Sequence, residues 1–440
     1  METSKKSRLS TLFNPFNKNI NKKKTDPTTL LLIFDIIAFA LALGSNPADL
    51  TSKSVLYFII VTAIIFLANK LIIKLADGDA YMIQIASMLF SIGIIMIYRL
   101  DPATGIKQIS WFILGLMVFF LTLLVFTHFK FWQKLSGLYL VLCFFLFFIT
   151  LILGSRTNGA INWISIGPFN FQPSEITKIL FILFLASYDN QKHPLDKINI
   201  EKNDRLRSWL PIIKKYFLML VVYFFIGLFF IQRDLGTAVV FYGVFLVYQI
   251  VTDEDIKLII FNILLALLGA VAAYFLFSHI RIRVATWLNP WADVNGTGYQ
   301  ITQALFAIAS GGFFGTGLGL GNPDMIPVVT SDFIFAAICE EMGIFTGMAV
   351  IMLFLMLIYR GMKIAMEQSQ MFYKILAIGI STIFAIQGII MFGGVLKLIP
   401  LTGITIPFVS YGGSSMISSF ISLAILQYAS LDHNRGDDYE

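Results

Sequence analysis

Twelve apolar runs dominate this chain, at about 28–44, 54–75, 80–98, 109–127, 136–153, 176–188, 211–231, 235–251, 257–278, 333–359, 373–395 and 408–429. Most are long enough to cross a hydrocarbon core as a helix, which takes about 20 residues, and 176–188 is the shortest. Lipid offers no partner to an unpaired backbone amide, so runs of this length select helices. The expected fold class is an all-α polytopic membrane protein with about twelve spans and no large soluble domain in 440 residues. Composition agrees, with 57% hydrophobic and 13% charged residues, against about 45–50% and roughly 25% for soluble domains.

Charge sets the orientation. With the N-terminus inside, 23 of the 32 lysines and arginines fall in the tails and inner loops. Eight fall outside (Lys53, Arg99, Lys107, Arg156, Arg233, Arg281, Arg283 and Lys397), and Lys178 lies within a helix. That asymmetry follows the positive-inside rule and places both termini in the cytoplasm. The net charge of +6 is therefore a membrane signal, and nucleic acid is not an expected partner. The basic tail 1–27 lacks a short apolar segment with a small-residue cleavage site and reads as retained. The loop 189–210 reads as a solvated connector attracted to anionic lipid.

Two outward segments are too polar to span, 154–178 and the roughly fifty residues 278–332. Both mix Gly, Pro, Asn, Trp and charge, and both are expected to be irregular. Long loops on a compact bundle are where function concentrates. The run "SGGFFGTGLGLGNP", 310–323, lacks the GxxxxGK[ST] phosphate-loop pattern and reads as a close-packed or re-entrant turn. Cys143 and Cys339 have no metal-ligand spacing, and neither have the four histidines. No metal site is expected. No cofactor is required, although a divalent cation (Mg or Mn) could assist a diphosphate leaving group.

Ionisable residues in apolar sequence supply the candidates. Arg281 and Arg283 run against the charge trend, as an interfacial anchor beside Trp287 and Trp291 or as a clamp for a diphosphate. Glu175 and Lys178 stand three apart and share a helix face. Asp234 lies at a tight turn and can cap the next helix. Asp332, beside Ser331, is either a helix cap or a carboxylate at the mouth of an outward cavity. It is expected at the water boundary, ionised at little cost. Glu340 and Glu341 fall roughly 12 Å deeper, about 80° and 180° round from Asp332 on an ideal helix. They call for a polar interior or a basic partner such as Lys178. Polar residues gather on the outer side, which favours an outer-leaflet enzyme over a transporter, whose polar groups spread through the midplane.

These residues resemble the SEDS family of bacterial RodA, FtsW and SpoVE. The matching segments are "NGAINWISIGPFNFQPSEITK" (158–178), "RDLGTA" (233–238), "NPWADVNGTGYQITQALFAIASGGFFGTGLG" (289–319), "DFIFAAICEEMGIFTG" (332–347) and "LIPLTGITIPFVSYGGSSM" (398–416). They stand in the family's order. The resemblance implies a peptidoglycan glycosyltransferase that polymerises lipid II at the outer leaflet of the bacterial cytoplasmic membrane, with a class B penicillin-binding protein as transpeptidase partner. A lipid II flippase and a non-catalytic scaffold are the alternatives.

The family's acidic residue matches Asp332, which looks like the base for the acceptor hydroxyl. Trp163, Gln172, Ser410 and Tyr411 match the family's other motifs and, with Arg156, Arg281 and Arg283, are the implied substrate contacts. Glu175, Lys178, Asp234, Glu340 and Glu341 are supporting residues. Where relatives commonly carry an acid and a histidine ahead of the catalytic Asp, this chain reads Val328 and Thr330. Ile161 and Asn162 stand where arginines are usual, and Arg233 where proline is. The expected organisation is a tail 1–27, an added hairpin 28–79, the family's ten-helix domain 80–430 and a tail 431–440. Elongation, division and sporulation members share these motifs.

Overall fold

A computed structural model describes residues 27–45, 51–75, 78–129, 131–157, 160–167, 169–190, 204–252 and 256–436. The N-terminal tail up to residue 26, most of the loop 189–210 and the last four residues lie outside the described residues.

Each of the twelve apolar runs coincides with a helix. These are α1 (Thr28–Ser45), α2 (Ser52–Leu75), α3 (Tyr81–Leu100), α4 (Pro102–His128), α5 (Ser136–Leu153), α6 (Pro173–Asn190), α7 (Asp204–Gln232), α8 (Leu235–Thr252) and α9 (Ile256–Leu276), followed after the long loop by α12 (Ile334–Glu367), α13 (Met371–Val395) and α14 (Gly413–Gly436). Among the described residues nine are long and apolar enough to cross a membrane. The other three are α1, α6 and α7. The chain is an all-α polytopic membrane protein.

Burial orders the bundle. In α3, α13 and α14 about four fifths of the spanning residues are inside the protein, whereas in α9 only 17% are. The first three form the centre and α9 turns its leucines and phenylalanines outward. Caps fix the turns between helices. Asp101 accepts from the Ala103 amide at 3.0 Å with Pro102 at the first helical position, so Asp101 alone separates α3 from α4.

The two polar segments are more regular than their composition suggests. The described residues between 155 and 171 form a three-stranded antiparallel sheet, β1 (Ser155–Thr157), β2 (Ala160–Ile166) and β3 (Phe169–Phe171), in the order β1-β2-β3. The loop 278–332 contains two further helices, α10 (Ser278–Leu288) and α11 (Tyr299–Gly311). Both are short and bounded by Gly, Pro and Asn, which hides them from an apolar-run reading.

The glycine-rich run is a close-packed turn, as its composition suggested. A Cβ on Gly315 would sit 2.2 Å from the Glu341 carbonyl oxygen. The facing helix is itself opened: Gly343, at φ 82° and ψ 164°, breaks the helical path of α12. The carbonyls of Glu340 and Glu341 are thereby released, and they accept from the amides of Thr316 (2.8 Å) and Gly317 (3.0 Å). Ideal-helix angles therefore cannot be carried through Gly343.

Candidate active site

Asp332 stands on a platform built from two irregular segments. In the first, Val328 adopts φ 57°, and its carbonyl accepts from the amides of Ser331 and Asp332. In the second, Phe408 adopts φ 66°. A β-branched or aromatic side chain in the left-handed region costs about 1–3 kcal/mol, sustained only where the surroundings over-determine it. Here the two segments are sewn together: the Tyr411 amide donates to the Thr330 carbonyl at 2.9 Å, and Ser410 Oγ to the Ser331 carbonyl at 2.7 Å. Gln108, fully buried on α4, holds the second segment from below by donating to the Ser410 carbonyl at 3.0 Å and accepting from the Gly412 amide.

The Asp332 carboxylate is asymmetric. Ser331 Oγ donates to Oδ1 at 2.9 Å. Oδ2 faces Gly403, at φ 77°, where a Cβ would lie 3.3 Å away. Burial pushes the carboxyl's pKa above its ordinary value, and the Ser331 hydrogen bond and the Arg283 charge draw it back. Two expectations are corrected. Asp332 is not a helix cap, because α12 begins at Ile334 with Phe333 in the cap position. Nor does Asp332 ionise at little cost, because it is half-buried rather than at open water.

Arg283 lies on α10 against the segment that ends at Gly403. Its Nη1 donates to the carbonyls of Leu401 (3.1 Å) and Thr402 (2.9 Å). Trp287, one turn along the same face, donates to the Lys397 carbonyl at 3.1 Å. Arg281, two residues back and so about 200° round the helix, is exposed on another face. The two arginines thus do not converge as one clamp. Asp234 caps α8, accepting from the Thr237 amide at 3.2 Å, and its charge and that of Asp332 both act on Arg283. Burial raises the Asp234 pKa as well, with the Thr237 bonds opposing.

The remaining candidates divide between two supports. Glu175 and Lys178 form a buried ion pair of 2.8 Å, and Ser418 Oγ on α14 donates to the second Glu175 oxygen at 2.5 Å. The Gln172 amide donates to Ser414 Oγ at 3.1 Å, fastening the start of α6 to the start of α14. Trp163 lies on β2 opposite Ser155, whose hydroxyl donates to its carbonyl. Arg156 lies on β1, and its side chain is outside the described residues.

Glu340 and Glu341 belong to the second support, where the basic partner is Arg99 rather than Lys178 and it pairs with Glu341 alone. Arg99, at the end of α3, pairs with Glu341 at 2.7 Å and Asp324 at 3.0 Å and donates to the Gly321 carbonyl. The other Glu341 oxygen accepts from the Gly319 amide, and Glu340 from the Asn322 amide. In the sequence Arg99 stands only as one of the outer-loop charges. Its visible signal was a lone cation closing an apolar run, on the same side as two otherwise unmatched acids. Gln108 gave no comparable sign.

A family model described as "Cell cycle protein" (FtsW, RodA, SpoVE) matches residues 79–435. The chain belongs to this family. Among its relatives in the FtsW/RodA/SpoVE family, "Peptidoglycan glycosyltransferase RodA" of Mycobacterium tuberculosis is 36% identical over 367 residues, covering 79% of this chain and 77% of the relative. "Stage V sporulation protein E" of Bacillus subtilis is 33% identical, covering 80% and 97%. A solved structure described as "Structural coordination of polymerization and crosslinking by a peptidoglycan synthase complex" contains a similar chain, 26% identical with a TM-score of 0.65, covering 83% of this chain and 99% of that one. The family match begins after α2, so the hairpin α1–α2 precedes it.

Proposed function

We propose that this family member is a peptidoglycan glycosyltransferase that polymerises lipid II, with Asp332 as the general base. The carrying observation is the asymmetric carboxylate: Oδ1 is held by Ser331 while Oδ2 faces Gly403, which has no side chain. A carboxyl whose pKa lies above the ordinary range is a stronger base once ionised, which suits removal of a sugar hydroxyl proton. In this reading Oδ2 takes the acceptor's proton as its oxygen attacks the donor sugar, and the lipid diphosphate leaves.

Cationic groups are needed where the diphosphate charge develops. Arg281, exposed on another face of α10, and Arg156 on the sheet are assigned to that task. Arg283, with one nitrogen spent on carbonyls, positions the 401–403 segment and biases Asp332. Trp163, Gln172 and Tyr411 border the acceptor path, and Ser410 supports it. Among the described residues no three His, Cys, Asp or Glu side chains converge. A divalent cation, Mg or Mn, would thus be carried by the diphosphate oxygens rather than by a protein cage.

Both termini are then cytoplasmic, and the sheet, α10 and α11 stand on the extracytoplasmic face of the bacterial cell membrane. A class B penicillin-binding protein would cross-link the product. Reconstitution into vesicles with labelled lipid II tests the activity: glycan polymer is the expected product, alone or with that partner. Translocation of lipid II without polymer would replace this reading with a flippase.

A further inference from the structure

The hairpin α1–α2 docks on α3 through a seam that is polar where a membrane interior is otherwise apolar. Asp35 on α1, Asn69 on α2, and Ser87 and Ser91 on α3 are each at most 1% exposed. α1 and α3 run parallel and in register. Gln84 Nε2 on α3 donates to Thr28 Oγ1 on α1 at 3.2 Å, and two turns further on, at the same sequence offset, Ser91 faces Asp35. From α2, Asn69 Nδ2 donates both to the Ile65 carbonyl (2.8 Å) and to Ser87 Oγ (3.1 Å).

The imbalance in this seam is one-sided. Both Asn69 amide hydrogens and one of Gln84's are spent on the bonds just given, and the Ser91 hydroxyl donates to the Ser87 carbonyl at 2.9 Å. Both Asp35 oxygens, Asn69 Oδ1 and Gln84 Oε1 have no hydrogen-bond partner. All four are acceptors, so the seam is short of a proton or a cation. The protein's own charges do not supply it among the described residues. Asp35 is the sole ionisable side chain on α1. On α2, Lys70 lies over the Phe66 ring, Tyr57 is exposed, and the side chains of Lys53 and Lys74 fall outside the described residues. On α3, Arg99 is engaged with Glu341 and Asp324, Tyr98 meets the Phe58 ring edge-on, and Tyr81 lies under Arg360.

We propose that this seam is a proton-binding site, in which Asp35 is a neutral carboxylic acid donating to Ser91 Oγ. A bare carboxylate buried among apolar helices is among the costliest groups a membrane protein can hold. A hard metal cation asks for about six converging oxygens, whereas a proton needs one acceptor. Ser91 Oγ is that acceptor, because its own hydrogen already points to Ser87. The bound proton fastens the hairpin to α3. Removing it leaves an unpaired charge in the seam, so docking holds while Asp35 is protonated and weakens as pH rises through its ionisation. The catalytic platform is not involved.

The test uses the full chain in lipid nanodiscs with dicyclohexylcarbodiimide, which modifies protonated carboxyls in apolar surroundings. Mass spectrometry is expected to find Asp35 modified, with labelling that falls several-fold as pH rises and is equal in sodium and choline buffers. Docking is read by disulfide trapping of Thr28→Cys with Gln84→Cys. Trapping is expected to fall over the same pH range, and to stay level when Asp35→Asn supplies a neutral donor in the same background. That variant also reports that the cysteine pair is within reach. Absence of labelling at every pH overturns the proposal. Protection by sodium alone also overturns it and assigns the site to a metal cation. So does trapping that is independent of pH in the chain carrying Asp35.

Discussion

Arg99 at the end of α3 reaches Glu341 at 2.7 Å, across the glycine-rich turn that leads toward Asp332. Glu341 is fully buried and Arg99 11% exposed, so the pair is screened little by solvent. Removing one member of a buried pair strands the other charge, at about 3–5 kcal/mol. Arg99→Met and Glu341→Met should each lower the melting temperature and activity together. The double variant should be more stable than either single one, because no charge is stranded. Asp324 is 61% exposed, and Asp324→Asn should cost less than about 1 kcal/mol. Thermal melts of the four proteins in one detergent check this.

Gly403 predicts a loss that is local to the site. At φ 77° any side chain is strained, and a Cβ there would crowd Asp332 Oδ2 at 3.3 Å. Gly167 has a similar φ of 61° with open space around it, so Gly167→Ala measures the backbone cost alone. Gly403→Ala should lose at least tenfold in polymerisation rate, while Gly167→Ala should stay within about twofold. Rates are compared at matched amounts of folded protein.

The pH dependence follows from the raised pKa of Asp332. A base works ionised, so activity should rise with pH through an acid limb lying above the ordinary value of 3.8. Ser331→Ala and Arg283→Met each remove an influence that lowers the pKa, and each should move that limb to higher pH. Stability has the opposite sign. The folded protein binds this proton more tightly than the unfolded chain, so the contribution is present below 3.8 and lost as pH rises through the folded value. Rate profiles and melting temperatures between pH 4 and 8 check both directions.

Helices were legible because span length and apolar continuity are set by the bilayer, and each apolar run could be read alone. Asp332, Ser410, Tyr411, Glu175 and Lys178 were legible as motif residues. The partners that make them a site were not. Arg99 meets Glu341 across 242 positions of sequence, and Gln108 meets Ser410 across 302. Neither pairing leaves a local pattern. The break at Gly343 was equally hidden, because a glycine in an apolar helix reads as a small packing residue until a second glycine segment is found against it. Glu340 and Glu341 are engaged by an ion pair to Arg99 and by the amides of Gly319 and Asn322, a network that ideal-helix angles do not reveal.

In the proposed reaction the Asp332 carboxylate removes the acceptor's proton. The most direct measurement is the rate of glycan polymerisation from lipid II by Asp332→Asn and by the unaltered chain, in the same vesicles and with the same partner. The asparagine keeps the shape and can still accept from Ser331, but it cannot take a proton. A fall of at least a hundredfold, with lipid II binding and folding retained, is the predicted result. Polymerisation by Asp332→Asn at the unaltered rate would contradict it.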